Sequence, residues 1–218
     1  ERLFSSGFTN PEMITDIVKV LAKRSKGFTR KELSEKAGYS EGGTLTKALN
    51  ALVTSDFVIK YIPFGCGKRE AHYKLTDPFC IFYLRFVDNY DSLPDTFWQQ
   101  NVTSQRINVW RGYSFENVCF GHIDQIKRAL GISGVSTTHS AWTKIADEED
   151  GTQIDLIISR KDNVVNMCEI KFYSGLFAVD KNYDLLLRHR RSLLGEEIPK
   201  KSIVHSTLIT TYGIKNNE

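Results

Sequence analysis

Two apolar runs constrain this chain more than any other feature: Gln153-Ile154-Asp155-Leu156-Ile157-Ile158 and Asn166-Met167-Cys168-Glu169-Ile170-Lys171-Phe172. Both read as strands, and central strands are apolar on both faces. Here the first carries a carboxylate, and the second carries an acid and a base. Side chains alternate along a strand, so Glu169 and Lys171 share one face while Cys168, Ile170 and Phe172 share the other. Ionised groups in such strands are costly unless they are paired or bind a metal. Two acids on neighbouring strands also repel, which raises their pKa values. A divalent cation removes that cost, and Mg²⁺ typically uses one or two carboxylates plus water and substrate phosphate. Asp155 and Glu169 are therefore the candidate Mg²⁺ ligands, with the Ile170 carbonyl as a further oxygen. Lys171 would orient an attacking water or stabilise transition-state charge. Glu116, on the preceding helix, would assist as an extra acid. The bland alternative is a salt-bridged strand pair without metal.

The surrounding pattern places these strands in an αβββαβ order. A helix is expected over 111–130, with Phe115, Val118, Cys119 and Ile126 on its buried face. Strands follow at 135–146, 153–159 and 164–172, then a helix at 178–194 and a strand from Ser202 to Thr210. Asp147–Gly151 reads as an acidic surface turn. The order suits a mixed sheet with helices on its faces. Arg188, Arg190 and Arg191 lie on the late helix, as a grip for a nucleic-acid backbone or as a solvated face.

The first part reads differently. Pro11, capped by Asn10, opens a helix over 11–24. Thr29 and Glu32 fit a capping box for a second helix. Ser40 is the expected cap of a third, with Leu45, Leu49 and Leu52 on one face. Phe57–Ile62 and Ala71–Leu75 are β-rich around a loop at 64–70. Three helices and a hairpin are the order of a winged helix-turn-helix. Its reading helix would present Thr44, Thr46, Lys47 and Asn50, and its wing Lys68 and Arg69, suited to phosphate. A protein-interaction module of the same topology is the alternative. The spacing of Phe79, Phe82, Tyr83 and Phe86 marks core, here packing between two domains.

The chain holds 29 Lys+Arg against 26 Asp+Glu. Residues 1–90 carry 14 basic and 10 acidic side chains, and residues 91–218 carry 15 and 16, so the first part is better suited to phosphate. Cys66, Cys80, Cys119 and Cys168 show no zinc-site spacing and read as reduced structural thiols. No apolar run approaches the ~18 residues of a membrane span. The opening Glu1-Arg2-Leu3-Phe4, without Met, reads as an excerpt of a longer protein. A cytoplasmic protein is expected.

The order Glu116, Asp155, Glu169-x-Lys171, with thirteen residues between Asp155 and Glu169, resembles the PD-(D/E)XK nuclease superfamily. Asp155 follows Ile154 where that motif has Pro. Lys68–Phe79, Phe82–Val87 and Trp110-Arg111-Gly112-Tyr113-Ser114-Phe115-Glu116 are similar to the C-terminal region of archaeal-type, AAA-related P-loop ATPases. The resemblance implies an α+β and α/β mixed chain: a winged helix-turn-helix at 8–76, a helical linker at 77–107 and a restriction-endonuclease-like αβββαβ domain at 108–212. It further implies an ATPase domain N-terminal to this sequence, which alone would take ATP, since no G-x-x-x-x-G-K-[ST] occurs here. DNA and that ATPase domain are the expected partners, with no membrane and with self-association left open. The expected activity is Mg²⁺-dependent phosphodiester hydrolysis. The alternative is a non-catalytic interaction or regulatory module, and a transcriptional regulator is the weakest reading.

Overall fold

The computed structural model describes residues 2–5, 7–88, 94–144 and 152–216. The chain is a mixed α and β protein that divides into two compact units. One unit comprises residues 1–62 and 66–110; the other comprises 63–65 and 111–218.

The first unit begins with α1 (Arg2–Ser5) and α2 (Pro11–Leu21). Asn10 Oδ1 accepts the Met13 N–H at 3.2 Å and starts α2. The two-residue β1 (Phe28–Thr29) runs directly into α3 (Arg30–Ala37). Thr29 Oγ1 accepts the Glu32 N–H at 3.2 Å, and the Glu32 carboxylate accepts the Thr29 N–H at 2.7 Å. Burial works to raise the Glu32 pKa, but the Thr29 amide and Arg24 outweigh it and hold the carboxyl below its usual value. Thr29→Ala removes half of this reciprocal cap and is expected to cost about 1 kcal/mol in urea unfolding. A change under a few tenths would show that α3 is held by packing alone.

The third helix, α4 (Gly43–Thr54), starts later than Ser40 would have it. Gly42 is the cap residue and makes no side-chain bond. The Gly42 carbonyl accepts the Thr46 N–H at 3.3 Å and also the Arg30 guanidinium at 3.1 Å. Then β2 (Val58–Tyr61) and β3 (His72–Leu75) pair antiparallel, and β1 adds to the far side of β3, giving the order β1-β3-β2. The intervening segment contains a 3-10 turn, Lys68–Glu70. Ile14, Ile17, Leu21, Leu33, Leu45, Leu49 and Leu52 form the core, each nearly or fully buried.

After α5 (Pro78–Phe82) the chain widens into a π-helical turn, Tyr83–Val87. The aromatic stripe divides here. Phe82 and Phe86 pack on Trp110 at 5.6 and 5.8 Å between ring centroids, whereas Phe79 and Tyr83 stack on each other at the surface. The stripe is therefore only half core: residues 79 and 83 are one i,i+4 pair, and 82 and 86 another. Short α6 (Phe97–Asn101) precedes the long α7 (Gln105–Gly121), whose first turn Ser104 Oγ caps at 3.3 Å. The helix predicted over 111–130 starts earlier, at Gln105, and breaks at His122 before α8 (Ile123–Ala129).

In the second unit, β4 (Thr137–Lys144), β5 (Thr152–Arg160), β6 (Val164–Lys171) and β7 (Ile203–Thr210) form one sheet in that order. The first three are antiparallel; β7 joins β6 in parallel after α9 (Lys181–Glu197) crosses over. Asp180 caps α9 by accepting the Tyr183 N–H at 2.7 Å. On one face α9 buries Leu187 and Leu194 against Ile154, Ile157, Val165 and Met167. On the other, Phe115 of α7 meets Phe172 edge-on. The acidic turn expected at 147–151 lies outside the described residues.

Candidate functional site

The strand bearing Asp155 is irregular at that residue. Ser140 pairs with Ile157 and Trp142 with Ile154, so Ala141 alone opposes both Asp155 and Leu156. This is a β-bulge, and bulges re-aim the side chains within them. It explains why Ile154 and Ile157, three apart, join the same α9-facing core. Register between β5 and β6 runs from Ser159↔Val165 to Leu156↔Cys168. One step further on, the Asp155 side chain takes over from the backbone: Asp155 Oδ2 accepts the Ile170 N–H at 3.0 Å.

Glu169 is 1% exposed. Its Oε2 receives Arg190 Nη1 at 2.6 Å and the Tyr183 hydroxyl at 3.4 Å, both from α9. Its Oε1 is buried without a hydrogen-bond partner, as is Arg190 Nε. Burial pushes the Glu169 pKa up, the charge of Asp155 adds to this, and Arg190 and Lys171 work against it. Burial and the neighbouring Glu169 likewise raise the Tyr183 phenol, so it donates rather than ionises. Lys171 Nζ lies 5.4 Å from the Tyr183 ring centroid, a cation–π distance.

Asp155, Glu169 and Lys171 thus gather at one end of β5 and β6, with Tyr183 and Arg190 over them. Glu116 is connected to this group through Cys119. It sits one turn before Cys119 on α7, and both Glu116 and Asp155 help push the Cys119 thiol, first raised by burial, up to about 12. Burial holds the Cys168 thiol at about 12 too, which suits inert structural thiols. Cys66 is exposed.

The donor set fits a cation in one respect and opposes it in another. Glu169 Oε1 is an orphaned carboxylate oxygen beside a second acid, the arrangement a divalent ion relieves. Arg190 already supplies a positive charge to the same carboxylate. Among the described residues, no group of three or more His, Cys, Asp or Glu side chains is placed to hold a metal.

The sequence pattern groups Arg190 with Arg188 and Arg191 as a backbone grip or a solvated face. The structure turns it inward to Glu169, with only 17% of its side chain exposed. Arg188 is exposed but bound to Asp184 at 2.8 Å, one helical turn earlier. Arg191 is exposed. The inward turn was legible in the pattern: Tyr183, Leu187, Arg190 and Leu194 recur at helical spacing on the face α9 presents to the sheet. An arginine in such a row needs a buried acid.

In the first unit, Thr44, Thr46, Lys47 and Asn50 are all exposed on α4, opposite buried Leu45, Ala48, Leu49 and Leu52. Lys68 and Arg69 are exposed on the 3-10 turn.

Compared with protein-family models and with curated proteins, the chain matches none. Among the described residues, no helix is long and apolar enough to cross a membrane.

Proposed function

We propose that the chain is the DNA-binding C-terminal part of a P-loop ATPase, with a winged helix at 8–76 and a PD-(D/E)XK-type domain at 108–212. The observation that carries this reading is α4. Its polar side chains Thr44, Thr46, Lys47 and Asn50 stand together in solvent while its leucines hold the core. The order α2-β1-α3-α4-β2-β3, with β1 completing a three-stranded sheet, supports the winged-helix assignment. The four strands with α9 crossing between β6 and β7 support the nuclease-like one. ATP would be handled by the ATPase domain of the parent protein. In this reading the second unit serves as a scaffold: Arg190 takes the place of a cation at Glu169, and the carboxylate is closed off.

The test is fluorescence anisotropy with duplex DNA across a salt series. Each lost phosphate contact should take about 0.9 off the slope of log K against log salt. The triple variant Lys47→Ala, Lys68→Ala, Arg69→Ala should therefore bind more weakly and with a shallower slope. Equal slopes for variant and wild type would remove the winged helix from the interface.

A second reading is favoured by the unpartnered Glu169 Oε1. Here Asp155 and Glu169 would hold Mg²⁺, Glu116 would assist, and Lys171 would stabilise charge during phosphodiester hydrolysis. Calorimetric titration of Mg²⁺ and Mn²⁺ separates the two. Saturable binding and plasmid nicking, both lost in Asp155→Ala/Glu169→Ala, would establish hydrolysis; neither in the wild type would leave the scaffold.

A further inference from the structure

The two edges of the second unit's sheet are finished differently. At β4 the register shifts between Ser140 and Trp142, and the Phe64 N–H donates to the Ala141 carbonyl at 2.9 Å. A bulge and a covering segment are two of the ways in which natural sheets blunt an edge. β7 has neither. Its eight residues, Ile203–Thr210, include no carboxylate, lysine, arginine or proline. Their parallel register on β6 runs unbroken from Val164↔Ile203 to Lys171↔Thr210. Among the described residues, no strand pairs with the outer side of β7.

The Ile203 N–H donates to the Asn163 carbonyl at 2.9 Å. In a parallel ladder this turns the backbone groups of Ile203, His205, Thr207 and Ile209 toward β6, and those of Val204, Ser206, Leu208 and Thr210 outward. A hollow of about 490 Å³ runs around this edge, lined by Asn166 and Thr207 from one face of the sheet and by Val204 from the face under α9. Ile203, the first residue of the strand, is 57% exposed.

The residue order along β7 says what fits there. From Ser202 to Thr210 it reads polar, apolar, apolar, polar, Ser206, polar, apolar, apolar, polar, the same pattern in either direction. When the strand is laid antiparallel on a second copy with the two-fold axis at Ser206, Ile203 faces the second copy's Ile209. Val204 then faces Leu208, and His205 faces Thr207. Such cross-strand pairs are the unit of sheet stabilisation. In the same register the outward residues of one copy meet the outward residues of the other, so their N–H and C=O groups exchange in pairs. Lys200 and Lys201 come opposite Tyr212 and Thr211. A parallel pairing in register would instead set each lysine against itself.

We propose that β7 is a self-association surface, on which two copies of this chain pair antiparallel about Ser206 and join their sheets into one. The contact is isologous and therefore closed. It depends neither on a metal at Glu169 nor on DNA at α4.

Sedimentation velocity of the whole chain tests this over a concentration series of about 1–200 µM, the range suited to a small, reversible interface. The wild type should pass from monomer to dimer and stop there. Ser206→Lys and Ser206→Glu should each weaken dimerisation about 10-fold or more, because each sets like charges opposite one another at the axis. An equimolar mixture of the two variants should recover the dimer, since opposite charges then meet. Ser206 is exposed, and recovery in the mixture shows in addition that both variants fold. A wild type that stays monomeric leaves this edge to a different chain and overturns the proposal. A dimer that neither substitution weakens, or a mixture no more dimeric than its components, overturns it as well.

Discussion

Replacing Arg190 with alanine is expected to destabilise the protein by about 3–5 kcal/mol at neutral pH, because one partner of a buried ion pair is left uncompensated. Glu169 would remain almost fully buried beside Asp155 with its counter-charge gone. The pH dependence gives the sign. Burial already raises the Glu169 pKa in the folded protein, with Asp155 adding to it. The folded state therefore binds more protons than the unfolded one between the two pKa values, and stability there falls as pH rises. Removing Arg190 takes away a contribution that lowers this pKa, so the variant's value lies higher still. The gap between variant and wild type should be widest above the variant's Glu169 pKa and should narrow on acidification as Glu169 takes up a proton. Urea unfolding across pH measures it. Arg190→Leu/Glu169→Leu should recover most of the loss, since a buried pair replaced by apolar groups is often neutral. A gap independent of pH, or a double variant as unstable as Arg190→Ala, would mean that packing of the arginine stem matters and the pair does not.

Gly27→Ala is expected to cost about 2–4 kcal/mol, from left-handed backbone strain and a steric clash together. Gly27 has φ +74°, and a Cβ there would lie 1.9 Å from the Tyr73 carbonyl oxygen. Phe28 pairs with Tyr73 immediately afterwards, so the clash falls on the bond that adds β1 to the sheet. Arg24 Nε also donates to the Gly27 carbonyl at 2.6 Å while its Nη2 binds Glu32 at 2.8 Å, tying the turn to the cap of α3. Hydrogen exchange should show lost protection at Phe28 and Tyr73 before the rest of the unit. Stability within about 0.5 kcal/mol of wild type, the range of neutral surface changes, would show that the turn relaxes freely.

These two predictions mark where sequence reading stopped. The helices of the first unit were legible because caps and apolar periodicity agree: Asn10 with Pro11, Thr29 with Glu32, and the leucines of α4. The strands β5 and β6 were legible as uninterrupted apolar runs. Two-residue β1 was not, because a pair of residues carries no period; only Tyr73 approaching Gly27 makes it a strand. Ser40 failed as a cap because the helix begins only at Gly43, which puts Gly42, without a side chain, at the cap position.

At the candidate site, the sequence by itself determined that charges would sit in buried strands and that Glu169 and Lys171 would share a face, since alternation is a local property of the backbone. What neutralises those charges was a tertiary decision. The bulge opposite Ala141 sends Asp155 to the Ile170 amide, and the packing of α9 delivers Arg190 and Tyr183 to Glu169. A cation and an arginine answer the same electrostatic demand, and local pattern specifies the demand alone. Which one meets it depends on a helix beginning ten residues after Lys171 and on the angle at which it lies across the sheet.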